Sequence, residues 1–464
     1  MSRRPSRSRR RGSPSAEVDQ PRLVAYSLLR QVADQQAYAN LAMPKLLKER
    51  SLGGTDAAFA TELAFGTLRL QGRYDAIIAL CSSRPLAQID ERVLDVLRLG
   101  AHQLLAMRVP DYAAVNSSAA MIRRVGRSGA AGFVNAVLRR IAGTDLTEWL
   151  QQIPPDPQQD PDGHTFAAES HPRWIGTALA DSLATQQARA ELPELLAANN
   201  RAAPVTLVAR PGRMDTADLL AMAEGEPGQW SPWAVRNSGD PGRIATVRDG
   251  RVGVQDEGSQ LVTLAWSRAE VTGTDDRWLD MCAGPGGKTA ILAGLAAQKQ
   301  AELVAVEQHS HRAELVRQAL PPDSEAEVLV ADSRELTAGA GFSRILLDAP
   351  CTGIGAVRRR PELRWRRTAA DLPGLRQLQT ELLNHAVALL RPGGVIGYIT
   401  CSPHLAETDD IIAAALTQHD ELRQLPAAEL LPEVPDATAG YAVRLWPHRH
   451  DTDGMYLAVL QRRG

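Results

Sequence analysis

Two cysteines stand in company that suits nucleophilic chemistry. Cys351 lies in Asp348-Ala349-Pro350-Cys351-Thr352-Gly353, and Cys401 in Thr400-Cys401-Ser402-Pro403. Each follows a short apolar run of the kind that forms a buried strand, residues 345–348 and 395–400. Both thiols therefore belong at the carboxyl ends of strands, the edge at which open α/β sheets bind ligands. A thiolate there can add to a ring carbon and later leave, which splits one difficult step into two. Free cysteine titrates near pH 8.5, about, so such a site must lower that value or place a base nearby. A lone free cysteine is more often a small buried hydrophobe; two at one sheet edge change those odds.

A second constellation lies upstream. Cys282, Ala283, Gly284, Pro285, Gly286, Gly287 and Lys288 follow a predicted strand at 277–281 and open a predicted helix. A glycine-rich turn there lets backbone N–H groups approach an anionic or polar ligand closely. The strict phosphate-binding P-loop pattern fails, because Ala283 stands where its leading glycine belongs. Acids close the next three predicted strands: Glu307, placed for ribose hydroxyls, Asp332, placed for an adenine amino group, and Asp348. Each acid alone could simply cap a following helix. Together with the glycine turn they read as a site for S-adenosyl-L-methionine.

A methyl donor beside two thiols suits carbon 5 of cytosine. That carbon is a poor nucleophile until a thiolate adds to carbon 6 and produces an enamine. Asp348 is the carboxyl placed to protonate or hydrogen-bond the ring's N3, a role that requires a raised pKa.

The elements that must position these residues follow from periodicity. With 464 residues, the chain has room for about three domains. Apolar residues at 3 and 4 spacing over 20–143, such as Leu94, Leu97, Leu104 and Leu105, predict an all-α domain, taken as 17–145. Four prolines in 153–163 predict a linker, taken as 146–164. Mixed patterns over 165–265 suggest a small α+β RNA-recognition module. Alternating strands and helices over 266–464 predict a parallel, doubly wound sheet, closed by a hairpin of 441–446 and 455–460. No solenoid repeat is visible.

Charge and composition narrow the setting. The net charge of −2 hides segregation, since Arg3, Arg4, Arg7, Arg9, Arg10 and Arg11 precede the first acid, Glu17. Residues 1–16 read as a disordered basic tail, solvated or serving as an arm for nucleic acid. No apolar run reaches the roughly 18 residues that span a bilayer, and four well-separated cysteines favour neither disulfides nor a zinc site. A cytoplasmic protein without membrane or metal partner is expected. Cys81 is expected in a core, and His448 and His450 in an exposed turn.

At these residues the chain resembles the Sun-type RNA cytosine-5 methyltransferases, and among them the ribosomal RNA small-subunit methyltransferase B group. The likeness includes Gln255-Asp256-Glu257-Gly258-Ser259-Gln260, the glycine turn, both cysteine motifs, Arg359-Arg360-Pro361-Glu362 with Trp365, and Asp453-Gly454-Met455-Tyr456. Gly132-Phe133-Val134-Asn135-Ala136-Val137-Leu138, with Ala113, Val115 and Asn116, is similar to the RNA-binding helical fold of NusB. The resemblance implies a Rossmann-like S-adenosylmethionine-dependent methyltransferase sheet with an N-terminal all-α NusB-like domain and a small α+β linker module. It further implies that Cys401 is the nucleophile and Cys351 assists product release, an order that spacing alone leaves open, because DNA cytosine methyltransferases use a Pro-Cys nucleophile. Residues 282–288, Glu307, Asp332 and Asp348 are implied around the cofactor. The chain departs from the commoner pattern at Gly284 (Ala), Arg360 (His) and Met455 (Phe).

RNA contact is expected from Arg358, Arg359, Arg360, Arg364 and Trp365, which cluster beside the Pro-Cys loop. The expected partner is RNA of the small ribosomal subunit, bound by a monomer. Transfer RNA or large-subunit RNA as substrate, or a non-catalytic RNA-binding assembly factor, are the alternatives.

Overall fold

Between residues 20 and 142, apolar side chains three and four apart bury one stripe on each of a succession of helices: Gln20–Gln35, Ala39–Glu49, Gly54–Arg69, Gln71–Cys81, Glu91–Leu105, Asp111–Arg124 and Ala131–Ala142. Leu28, Leu63, Ile77, Leu97, Ile122 and Leu138 meet in their common core. Asp19 and Asp90 cap two of these helices by accepting from the backbone N–H of Arg22 and Arg92. Cys81 joins this core, and burial pushes its thiol up from its ordinary value. The structure, a computed structural model, describes residues 19–337 and 341–464. The basic tail expected over 1–16 lies outside the described residues.

The chain divides into two compact units, one running to Arg173 and including Arg360–Glu362, the other holding Trp174–Arg359 and Leu363–Gly464. The proline-rich stretch read as a linker is largely part of the first. Residues Leu146–Gln152 and Pro161–Ala168 are helical, and Trp149 and Ile153 lie in the helical core. The Trp149 indole donates to the Ile141 carbonyl, so a single apolar anchor outweighs the composition around it.

The second unit contains two sheets. The smaller is antiparallel, built from β1 (Val205–Ala209), β2 (Gly225–Pro227), β3 (Ala234–Asn237) and β4 (Val252–Val254) in the order β2-β3-β1-β4. The larger holds β5 (Arg277–Asp280), β6 (Glu302–Glu307), β7 (Glu327–Val330), β8 (Phe342–Asp348), β9 (Leu390–Thr400), β10 (Leu422–Leu425), β11 (Thr438–Ala439), β12 (Ala442–Leu445) and β13 (Met455–Arg462). Its order is β11-β12-β13-β9-β8-β5-β6-β7, with β10 also pairing β13. Strands β5 to β9 are parallel, and β12 and β13 form the expected antiparallel pair. The expected boundary at 265 falls inside the helix Glu257–Arg268, whose Leu261, Val262 and Trp266 pack with Trp278 and Val395 of the larger sheet.

Covered faces explain why the central strands read as continuous apolar runs: Ile345, Leu346 and Leu347 of β8 are all buried. The buried charge on that strand, Arg344, is held by Asp275 at 2.9 Å, with the rings of Trp266 and Trp278 within 5.6 Å of its guanidinium group. Among the described residues no helix is long and apolar enough to cross a membrane.

Candidate active site

Strands β8 and β9 are parallel neighbours, with Asp348 in register with Ile399, so the loops after them leave the sheet at one edge. This brings the sulfurs of Cys351 and Cys401 to 3.5 Å from each other. A third segment clamps them. The Gly355 N–H donates to the Cys401 carbonyl at 2.9 Å, and the Gly454 N–H donates to the Gly355 carbonyl at 2.8 Å. A Cβ on Gly355 would stand 2.0 Å from the Gly454 oxygen, so no other residue fits this crossing. Hydrogen bonding to Cys401, and then burial, push the Cys351 thiol well above its ordinary value.

The glycine turn follows β5 as expected, and the helix Gly287–Lys299 starts from it. Lys288 reaches from that helix to Asp348, Nζ to Oδ2 at 2.7 Å. Burial, the largest single influence, pushes its ammonium group down, but the charge and hydrogen bond of Asp348 together with Cys401 and Asp280 outweigh it, and the net shift is upward. Cys282 is held as a thiol by burial. Beneath the turn, Thr289 donates to the buried carboxyl of Asp280 at 2.7 Å, and burial pushes Asp280 up to about 7.

Asp332 and Glu307, two of the strand-end acids, each accept from the backbone N–H two residues on. Asp332 accepts from the Arg334 backbone N–H at 3.0 Å and from its guanidinium, which holds its carboxyl below the usual range. Glu307 accepts from the His309 N–H at 2.9 Å and pairs with Arg312 at 3.2 Å. A Cβ at Gly284 would stand 2.2 Å from Glu307 Oε2, and Arg312 donates to the Gly284 carbonyl, so the bare backbone of the turn, Glu307 and Arg312 meet at one point. The residues present fit an adenosyl ligand on this ground: a polar cradle of open backbone with an acceptor on its far wall.

The arginine segment is arranged differently from the expectation. Arg358 is buried and donates to Asp451 at 2.8 Å. Arg364 is buried and donates to Asn200 and to the Asn199 carbonyl, both at 2.7 Å. Arg359 binds Asp256, Asp453 at 3.2 Å and the Pro204 carbonyl at 3.0 Å. These three guanidinium groups are engaged by protein acceptors. Arg360 and Trp365 are only partly buried. The expected exposed histidine turn is also corrected. His450 is buried, accepting from the Trp446 N–H at 2.8 Å, and His448 lies 2.8 Å from Glu191. Burial pushes both imidazoles down.

Sequence reasoning missed Glu407, a fully buried carboxyl between the two cysteine loops. It quoted Asp256 and Asp453 within motifs without giving either a task. Nothing local marks Glu407, whose partners are 5 to 55 residues away in sequence. No group of three or more His, Cys, Asp or Glu among the described residues is arranged to hold a metal ion.

The family model for the 16S rRNA methyltransferase RsmB/F matches residues 271–461, and that of the NusB family matches 19–143. A Mycobacterium tuberculosis protein named putative methyltransferase Rv1407 is 49% identical over 460 residues, spanning 98% of this chain and 99% of its own length. Ribosomal RNA small subunit methyltransferase B of Pseudomonas putida is 33% identical, over 88% of this chain and 91% of its own. The chain belongs to the RsmB/F methyltransferase family. As a member, it is an S-adenosylmethionine-dependent RNA methyltransferase whose first described helices form a NusB-type domain. The solved structure of PH0851 shares the fold, with a TM-score of 0.76 over 96% of this chain and 98% of that one, at 20% identity.

Proposed function

We propose that this RsmB/F-family enzyme methylates carbon 5 of a cytidine in small-subunit ribosomal RNA through a covalent cysteine adduct at carbon 6. The observation that carries the reading is the pair of thiols 3.5 Å apart at the edge shared by β8 and β9. S-Adenosyl-L-methionine, held by residues 282–288 with Glu307 and Asp332, supplies an electrophilic methyl group. Cys401 attacks carbon 6 and so makes carbon 5 nucleophilic. Lys288 provides positive charge near that sulfur and fixes Asp348, which hydrogen-bonds the ring's N3. Cys351, held as a thiol against Cys401, assists loss of the carbon 5 proton and release of the product.

Arg360 and Trp365, the partly buried members of the arginine segment named above, meet RNA, where their planes can replace the stacking lost by the target base. The enzyme acts on RNA as a cytoplasmic monomer. Bisulfite sequencing of ribosomal and transfer RNA from cells with and without the gene tests the substrate. Loss of one small-subunit site is expected; loss of a transfer RNA site, or of none, overturns this assignment. For the mechanism, Cys351→Ala should accumulate a denaturant-resistant RNA–protein adduct on gels. No adduct would remove the release role.

A further inference from the structure

We infer that Glu407 is a positioning residue that sets the separation of the two reactive thiols; this rests on the covalent reading above. Glu407 ends the short helix Leu405–Glu407 and is fully buried. Its Oε1 accepts from the Thr352 N–H at 2.8 Å and from Gln379 Nε2 at 3.2 Å. Its Oε2 accepts from the Thr352 hydroxyl at 2.5 Å and the Ser402 hydroxyl at 2.6 Å. Thr352 directly follows Cys351, and Ser402 directly follows Cys401. One carboxyl group therefore ties together the residues after both cysteines.

The rest of the network tightens the same joint. Gln379 also donates to the Pro350 carbonyl at 2.8 Å, which brings the residue before Cys351 onto it. The Thr352 and Ser402 hydroxyls lie 3.1 Å apart. The Tyr398 hydroxyl donates to Glu407's own backbone carbonyl at 2.8 Å, which ties the backbone that carries the carboxyl to β9. Moving either cysteine loop stretches bonds to Glu407, and the two loops cannot shift independently. Every donor to the carboxyl is a neutral hydroxyl or amide, and both oxygens are used. An amide in its place offers one acceptor and turns an NH₂ toward groups that are themselves donors, which breaks the joint at nearly unchanged volume.

Glu407 acts through Thr352 and Ser402, so its test needs a readout of thiol geometry as well as of rate. The full-length protein, without RNA, is treated with diamide, which takes two electrons and two protons from Cys351 and Cys401 as their sulfurs join. The disulfide is quantified by mass spectrometry of the alkylated peptides. In Glu407→Gln, coupling is expected to slow at least about tenfold, and kcat to fall by about 10- to 100-fold with KM for RNA and S-adenosylmethionine within about twofold. Native tryptophan emission, from Trp266, Trp278 and Trp446 among others, reports that the unit is folded. A folded Glu407→Gln protein that couples its thiols within about twofold of the wild-type rate overturns the inference. Should that variant lose the native emission, Thr352→Val combined with Ser402→Ala decides by the same criterion, since it removes two of the four donors and leaves the carboxyl in place. The coupling assay uses no RNA, so failure of the covalent mechanism would appear in the Cys351→Ala adduct gel and leave the coupling rate unmoved.

Discussion

Buried carboxyl groups in the second unit are met in two opposite ways. Around the cysteines, both oxygens of Glu407 accept from hydroxyl and amide donors, and one oxygen of Asp280 accepts from the Thr289 hydroxyl. In the segment after them, Asp256 and Asp453 close on one guanidinium, that of Arg359. Neutral donors hold a carboxyl by geometry and leave the net charge of the pocket to the reacting groups. A shared cation ties the segments before the helix at 257, after β8 and before β13 into one ion pair, and it is costly to break, because each partner is stranded without the other. Even there, burial pushes Asp453 up to about 6, since Asp256 shares the same guanidinium. The first arrangement suits a site that must change charge during a reaction; the second suits a frame.

The largest expected effect tests whether the neutral region is the reactive one. Cys401→Ala should lower methyl transfer at least about 10³-fold in a radiolabelled methyl assay, with an unchanged urea midpoint. Retained transfer would take the nucleophile away from this residue. Next comes the frame. Arg359→Ala should cost about 3–5 kcal/mol in urea unfolding at neutral pH. The cost should shrink toward pH 5, as the stranded carboxyls take up protons. If stability instead holds while the salt dependence of RNA binding weakens, Arg359 is an RNA contact and the contrast between the two regions collapses.

A smaller effect separates the two kinds of carboxyl by pH. Asp280 has an ordinary value of 3.8 and is raised to about 7 by burial. The native state therefore holds a proton that the unfolded chain has released, and the contribution of this group to stability falls as pH rises through that window, then stays constant. Asp280→Asn removes the dependence, so relative to wild type the variant should gain about 2 kcal/mol between pH 5 and pH 7. A difference between the two unfolding curves that does not vary with pH would show that Asp280 does not titrate in this way.

Much of the site is legible in the chain because its parts are local. Cys282 to Lys288 form one turn, and the acid ending each predicted strand is placed by the strand itself. The helical core is legible for the same reason, as the stripe through Val134, Val137, Leu138 and Ile141 repeats within a few residues. What misled was residue type without a partner. The arginines of 358–367 resemble a nucleic-acid surface until Asp451 is found beside Arg358, and Asp256 and Asp453 beside Arg359. His448 and His450 resemble a solvated turn until Glu191 and the Pro435 carbonyl close on them. The stretch 153–163 resembles a linker until Ile153, beside Trp149, is seen in the core.

By itself, the amino-acid sequence determined the helical and doubly wound patterns, the strand ends that carry Asp348 and the cysteine loops, and the glycine turn. Each of these depends on spacing within an element or on its immediate flank. Only the tertiary structure decided that the two sulfurs lie 3.5 Å apart, that Glu407 joins the loops bearing them, and that Arg358, Arg359 and Arg364 face protein acceptors. Those facts depend on which strands become neighbours and on which charges are taken out of water together, and a linear pattern records neither.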